Sequence, residues 1–308
     1  MTKTQRMFAA DGGLLLAAFF WGYSFVAMKE ALEVFPTFWL LALRFNAAFI
    51  ILCIFFGHKF IEAPKKLFTM GGIAGLLLFG AYTAQTFGLN FTTASKQAFI
   101  TSTYVIFVPF FVWILTRVFP GKAVLLSAFL CFFGMWTLTS DEVGAFNIGD
   151  AFTVLCAVLY AAHLMYLTYA TRIVSPVLLA TLQIGVVGIM SLIIAPFSGE
   201  WPGFSGTDGL YQIVFLVLFP TIGAFLLQNI CQKHTSSVHA AIIISLEGVF
   251  GVFAGVILLG ELFTFRMAVG CAIIFSAVLL TEIAPLIKRN AEFRIQNAEL
   301  KDKNNCEL

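Results

Sequence analysis

Charge is what this chain has least of. Only 11% of its 308 residues are Asp, Glu, Lys or Arg, against about 25% in a soluble domain, so it has too few charges to cover a surface in water. The net charge of +2, from 18 basic and 16 acidic residues, comes without a basic stripe and gives no reason to expect nucleic acid as a partner. Cysteine is sparse too. None of the six stands in a C-x-x-C, five (Cys53, Cys131, Cys156, Cys231, Cys271) lie inside apolar runs, and Cys306 lies in a polar tail. Such thiols act as small hydrophobes and not as a disulfide framework or a metal site. There is no H-E-x-x-H, paired Asp-rich motif or Gly-rich phosphate loop, so the usual marks of a membrane enzyme or a nucleotide-driven pump are missing. An enzyme is therefore not expected, nor are cofactors or a metal. His234 and His239 are five residues apart and fall on different helix faces. No A-x-A-like cleavage site follows the first apolar run, which is expected to be a retained helix in a chain starting near Met1.

What is abundant is apolar: 60% of residues are hydrophobic and the mean hydropathy is +0.95. Apolar side chains in such excess must face lipid. A spanning helix needs about 20 mainly apolar residues, and ten such runs fit, near 12–29, 37–56, 67–89, 97–117, 122–139, 150–170, 177–196, 210–231, 238–259 and 266–287. The fold class expected is therefore an all-α integral membrane protein with ten transmembrane helices. Short Pro, Gly and polar joints, such as Val34-Phe35-Pro36 and Glu62-Ala63-Pro64-Lys65-Lys66, leave no room for a soluble domain.

Basic residues stay on the cytoplasmic side of a membrane. With the amino terminus inside, fourteen of the eighteen Lys and Arg fall in inner segments, while Lys29, Lys96 and Arg266 fall outside and Arg44 lies within a helix. Both termini are thus expected to be cytoplasmic: residues 1–10 as a short leader and 288–308 as a mixed-charge tail.

The two halves resemble each other. At an offset of 139 residues Asp11 falls on Asp150, Trp21 on Tyr160 and Arg44 on Gln183. At an offset of 143, Gln85-Thr86 falls on Gln228-Asn229, Thr92-Thr93 on Thr235-Ser236 and Gly134 on Ala277. Residues 11–140 and 150–287 then form two five-helix repeats. Because five is odd, the second enters the membrane from the opposite side, and the repeat is inverted. Such an architecture places a substrate site where the halves meet near mid-bilayer, open alternately to each side as they rock.

Particular motifs point to a family. Phe20-Trp21-Gly22-Tyr23-Ser24-Phe25, Leu43-Arg44-Phe45 and Tyr104-Val105-Ile106-Phe107-Val108-Pro109 in the first half, with Ser245-Leu246-Glu247-Gly248-Val249-Phe250 and Leu258-Leu259-Gly260-Glu261-Leu262 in the second, resemble signature elements of the EamA-like branch of the drug/metabolite transporter superfamily. The resemblance covers about residues 11–285. It implies helices 1 to 4 and 6 to 9 around a central cavity, helices 5 and 10 at the periphery, and substrates among amino acids, other metabolites and drugs. Gly248 departs from the family's usual proline, which would leave the ninth helix less kinked.

Polar groups deep in apolar runs are the candidates for chemistry. A charged side chain at the depth of Glu247 costs roughly 2.5 to 3.5 kcal/mol. Its carboxyl group is expected either to bind a proton or a substrate ammonium, coupling transport to the proton gradient, or to fix helix packing beside Gly248, Gly251 and Gly255. Arg44 keeps its charge and must pair with an anion or snorkel outward. Facing the cavity it would hold a substrate carboxylate in two hydrogen bonds, with Gln183 as its neutral counterpart in the repeat. Trp21, Tyr82, Tyr104, Tyr160 and His163 fall in helices that the resemblance assigns to the cavity, where they suit amphipathic substrates and cations or else simple packing. Gln85 and Gln228, with Asn229 adjacent, place amides at matching positions of the two halves.

A channel would want rings of charge or carbonyl groups, and a polytopic enzyme a cluster of reactive groups. Neither pattern is visible. The reading is a secondary transporter of the inner membrane that moves a small metabolite by alternating access, with export of amino acids or related compounds first and drugs or nucleotide-linked metabolites as the alternative. Its expected partners are that substrate, membrane lipid and protons. The sequence carries no indication of oligomeric state.

Overall fold

The structure, a computed structural model, describes residues 3–117, 119–139, 147–198, 209–259 and 263–280. Among these, regular structure is entirely helical. The helices are α1 (Lys3–Leu32), α2 (Thr37–Phe56), α3 (Lys65–Leu89), α4 (Ala94–Ser102), α5 (Tyr104–Thr116), α6 (Lys122–Thr139), α7 (Ile148–Ala170), α8 (Pro176–Ile194), α9 (Leu210–Leu216), α10 (Ala224–Gln232), α11 (Ser237–Ile244), α12 (Glu247–Leu259) and α13 (Phe265–Leu280). Eight stretches are long and apolar enough to cross a membrane. They are α1, α2, α3, α7 and α8, together with the composite spans α4–α5 (Lys96–Thr116), α9–α10 (Leu210–Gln232) and α11–α12 (Ser237–Leu258). The helices α6 and α13, where a fifth and a tenth span are expected, are apolar but shorter. The outward faces of the helices carry exposed side chains such as Ile54, Phe55, Leu115, Phe129 and Ile257, which suits lipid and not water. The chain is a multi-pass membrane protein. The Gly260-Glu261-Leu262 part of the last motif and the tail beyond residue 280 lie outside the described residues.

Three spans are interrupted, each for a local reason. In the fourth, the Thr103 hydroxyl donates to the Ile100 carbonyl at 2.7 Å and the Thr103 amide bonds to the same oxygen at 3.1 Å, so the helix tightens and restarts at Tyr104. In the ninth, the Ser245 hydroxyl takes the Ile242 carbonyl at 2.6 Å, Leu246 N bonds to Ile243 O at 3.2 Å, and α12 begins at Glu247. The ninth span therefore breaks without the proline the family usually has, because a serine hydroxyl competes for the helical carbonyl. In the eighth, Pro220 has no amide hydrogen to give, and Val217–Gly223 widens into a π-helical turn.

The two halves of the chain interdigitate. Helix α3 packs along α7 and α8, α2 along α8, and α1 along α10 and α12. At one crossing a Cβ built on Gly22 would lie 2.5 Å from the Glu247 carbonyl oxygen and 2.9 Å from the Gly251 amide nitrogen, so the missing side chain is what lets α1 lie against α12. Four apolar clusters result among the described residues, and two of them flank the middle of the bundle. One gathers Tyr104, Cys131, Met135, Ile242 and Leu246, and the other Leu41, Phe45, Tyr82, Ile184 and Phe225. Trp21 and Tyr160 pack against both.

Candidate functional site

Between these clusters lies a cavity. Helix α1 contributes Trp21, Ser24 and Phe25, α3 Tyr82 and Gln85, and α5 its first residue, Tyr104. From the other side come Tyr160, His163 and Leu164 of α7, Phe225 and Gln228 of α10, Ile244 of α11, and Glu247, the first residue of α12. Its walls are aromatic: Trp21 meets Phe225 edge-on at 5.4 Å between ring centroids, and Tyr82 meets Tyr160 at 5.8 Å and 86°.

The polar lining divides into groups already engaged and groups left over. Trp21 Nε1 donates to the Pro220 carbonyl at 2.9 Å, an oxygen in the π-helical turn. The Ser24 hydroxyl donates to the Trp21 carbonyl at 2.7 Å, Tyr160 to Gln85 Oε1 at 3.2 Å, and Gln85 Nε2 to the Thr101 hydroxyl at 3.5 Å. His163 Nε2 lies 2.7 Å from Gln183 Oε1. An amide oxygen only accepts, so Nε2 carries the proton. By contrast Glu247 Oε1, the Tyr104 hydroxyl and Gln228 Oε1 are buried without a hydrogen bond of ordinary length, and the nearest polar company of the Glu247 carboxyl is the Tyr104 hydroxyl beside it.

Of the residues singled out in the sequence, Glu247, Trp21, Tyr82, Gln85, Tyr104, Tyr160, His163 and Gln228 all line this one cavity. Arg44 and Asn229 do not. Arg44 is 1% exposed, neither snorkelling nor facing the cavity. Its Nε donates to the Thr221 hydroxyl at 2.6 Å, a second nitrogen reaches the Tyr82 hydroxyl at 3.4 Å, and its guanidinium lies 5.1 Å from the ring centroids of both Phe45 and Tyr82. Neutral oxygens and ring faces thus surround its charge, and it supports the cavity wall from behind Tyr82. Gln183, its counterpart in the repeat, supports His163 in the same way. Asn229 is turned into its own helix, donating to the Phe225 carbonyl at 2.8 Å.

Sequence reasoning did not single out Ser24 and Phe25, although both stand in the first motif, nor Phe225, Leu164 and Ile244, for which no signal existed in so apolar a chain. It also missed two contacts between basic and acidic side chains, the second of which is an ion pair only while its histidine is protonated. Lys96 Nζ lies 2.7 Å from Asp150 Oδ2, and His239 Nε2 lies 3.1 Å from Asp11 Oδ1. Here a signal did exist, since Asp11 falls on Asp150 at the first repeat offset and Lys96 on His239 at the second. The helices that carry the two bases are capped alike: the Thr93 hydroxyl accepts from Lys96 N and the Ser236 hydroxyl from His239 N, each at 3.2 Å.

Comparison with known proteins agrees with this architecture. A model of the EamA-like transporter family matches residues 9–140 and again residues 147–283. An uncharacterized transporter of Archaeoglobus fulgidus is 33% identical over 280 residues, covering 91% of this chain and 87% of that protein. A crystal structure of a protein 20% identical in sequence superimposes with a TM-score of 0.73 over 92% of this chain and 99% of the other, a likeness of fold.

Proposed function

Because the chain belongs to the EamA-like transporter family, we propose that it is a secondary transporter moving a small metabolite across the cytoplasmic membrane by alternating access. Amino acids or related compounds are the substrates and export is the direction. One observation carries this reading: a single buried cavity is walled by α1, α3 and α5 from the first matched segment and by α7, α10, α11 and α12 from the second. A site held jointly by two halves changes the side it faces when the halves rock, with no need for a continuous pore. The names of the family and of the relative are transporter names, and a transporter is not an enzyme class.

In this reading α6 and α13 complete ten spans as the fifth helix of each half. Neither lines the cavity, and they pack on each other where Gly134 meets Ile274, which supports a peripheral place for both. Five spans per half invert the second repeat, and the Lys and Arg asymmetry puts both termini in the cytoplasm. No Lys or Arg stands among the described lining residues, which favours amines and amphiphilic drugs over nucleotide-linked cargo as the second class.

The test is uptake of a labelled amino-acid panel into proteoliposomes, with and without an imposed pH gradient, for the wild type and Glu247→Gln. Stimulation by the gradient that the substitution abolishes supports a proton-coupled carrier. Unchanged uptake in Glu247→Gln makes the carboxyl structural, and no uptake of any amino acid by folded protein removes that substrate class.

A further inference from the structure

We propose that the cavity recognises the ammonium group of its cargo and not a carboxylate. Its substrates would then be small amines with an apolar or aromatic body, among which amino acids are one case. The inference deepens the carrier reading and rests on it. It follows from which polar groups are left over. The donors of Trp21, Ser24, Tyr160 and Gln85 are committed to protein acceptors, while Glu247 Oε1 and the Tyr104 hydroxyl are buried side by side with only each other at hand and no hydrogen bond of ordinary length. Leaving a buried polar group poorly paired is costly, more so for a charged one, so a ligand that supplies N–H donors relieves a cost the empty site carries. An ammonium brings up to three such donors and a positive charge, which suits a wall that includes the aromatic rings of Trp21 and Tyr160. A carboxylate would bring only acceptors, next to an acceptor, and the cation that could offset this, Arg44, lies behind Tyr82 with its donors directed to Thr221, Met28 and Tyr82.

Three ligands with one skeleton decide the matter: phenethylamine, phenylalanine and 3-phenylpropionate, titrated calorimetrically into purified protein in lipid nanodiscs. Phenethylamine and phenylalanine are expected to bind and 3-phenylpropionate to bind about tenfold or more weakly, with Glu247→Gln lowering amine affinity by a similar factor and Glu247→Asp retaining part of it. Equal binding of the acid, an amine affinity indifferent to Glu247→Gln, or no binding of any of the three would overturn the proposal. Should Glu247→Gln fail to fold, the wild-type comparison alone decides. Overturned here, with uptake of some other solute in proteoliposomes, the substrate class falls and the carrier reading stands.

A second, independent observation concerns the two ion pairs. Each joins the halves: Lys96 of α4 to Asp150 of α7, and Asp11 of α1 to His239 of α11. They also lie at opposite ends of the bundle. Spans α1, α2 and α3 alternate direction through short turns, so α1 and α3 start at one end. Asp11 and His239 belong to that end, whereas α4 begins where α3 finishes, at the end where Gly88 packs against Gly149. We infer that the two pairs latch the two ends, and that rocking breaks one while the other holds. Both are formed here, with side chains no more than 13% exposed, so the halves are tied at both ends of the cavity.

Sidedness of access tests this. In a chain with the native cysteines replaced, Ser24→Cys places a thiol on the cavity wall, to be labelled by a membrane-impermeant reagent added to either face of oriented vesicles. Lys96→Gln or Asp150→Asn is expected to speed labelling severalfold from the face at which α4 begins, and His239→Gln or Asp11→Asn from the opposite face. Asparagine at 150 can keep the helix-capping acceptor, and so separates the charge from the cap. Lys96→Gln combined with Asp150→Asn should behave as either single change does. Labelling that rises equally from both faces, or from neither, would overturn the latch. If one single variant does not fold, the other member of its pair gives the same answer.

Discussion

Tyr104 and Glu247 stand side by side on the cavity wall as the first residues of the helices that restart after the breaks in the fourth and ninth spans. They are also separated by the same 143 residues that align Gln85 with Gln228. The breaks therefore do equivalent work in the two halves. Each ends a helix at mid-span and sets the next residue on the cavity wall.

Because the Tyr104 hydroxyl has only the Glu247 carboxyl beside it, with no hydrogen bond of ordinary length, its removal separates binding from folding. Tyr104→Phe should leave the thermal midpoint nearly unchanged, since little pairing is lost with the hydroxyl. It should weaken phenethylamine binding about fivefold, roughly the worth of one hydrogen bond. A large drop in midpoint with unchanged affinity would make the hydroxyl a packing element.

Gly22→Ala should act through the backbone. The added methyl meets the Glu247 carbonyl oxygen and the Gly251 amide nitrogen, neither of which can swing away, besides Phe250 Cβ at 2.5 Å. Pushing α1 off α12 should cost about 1 to 3 kcal/mol and displace Glu247, so transport should fall more steeply than stability. Unfolding titrations in mixed micelles and proteoliposome uptake measure the two.

These cases show where the sequence was informative. Run length and hydropathy marked the eight stretches long enough to cross a membrane and the two shorter apolar helices, because lipid imposes an apolar length that no local choice can hide. The candidates that proved to line the cavity were polar or amphipathic groups in otherwise apolar runs, and burial cost alone makes such residues conspicuous. Arg44 was conspicuous for the same reason, yet its direction depended on Thr221 and on the π-helical turn around Pro220, a distortion that depends on how the helix packs as well as on where the proline lies. The breaks at Thr103 and Ser245 escaped because a hydroxyl takes an i−3 carbonyl only where packing allows it. The ion pairs were present in the repeat alignment as Asp11 with Asp150, but nothing linear in the chain tied an acid at 11 to a histidine at 239.

The environment of Arg44 yields a double-mutant cycle. Thr221→Val removes the hydroxyl that accepts from Arg44 Nε and donates to the Leu216 carbonyl, leaving a buried charge short of an acceptor. The expected cost is about 2 to 3 kcal/mol. Arg44→Met added to Thr221→Val should recover much of it, because an apolar pair of similar bulk carries no desolvated charge. A double variant as unstable as the sum of the singles would mean that Arg44 and Thr221 contribute independently.

Asn147 tests whether the cap of α7 and the latch are separable. Its side chain accepts from Asp150 N at 3.0 Å, while Asp150 Oδ2 accepts from Asn147 N at 2.8 Å and lies 2.7 Å from Lys96 Nζ. One carboxylate therefore serves both a capping box and the ion pair between halves. Asn147→Ala removes the first half of that box and the hydrogen bond to the Phe91 carbonyl, yet leaves the acid and its lysine. It should cost about 1 kcal/mol of stability without changing the face from which the thiol of Ser24→Cys is labelled. If Asn147→Ala also shifted labelling toward the face at which α4 begins, the order of the α7 terminus, and not the charge pair, would be what holds that end of the bundle closed.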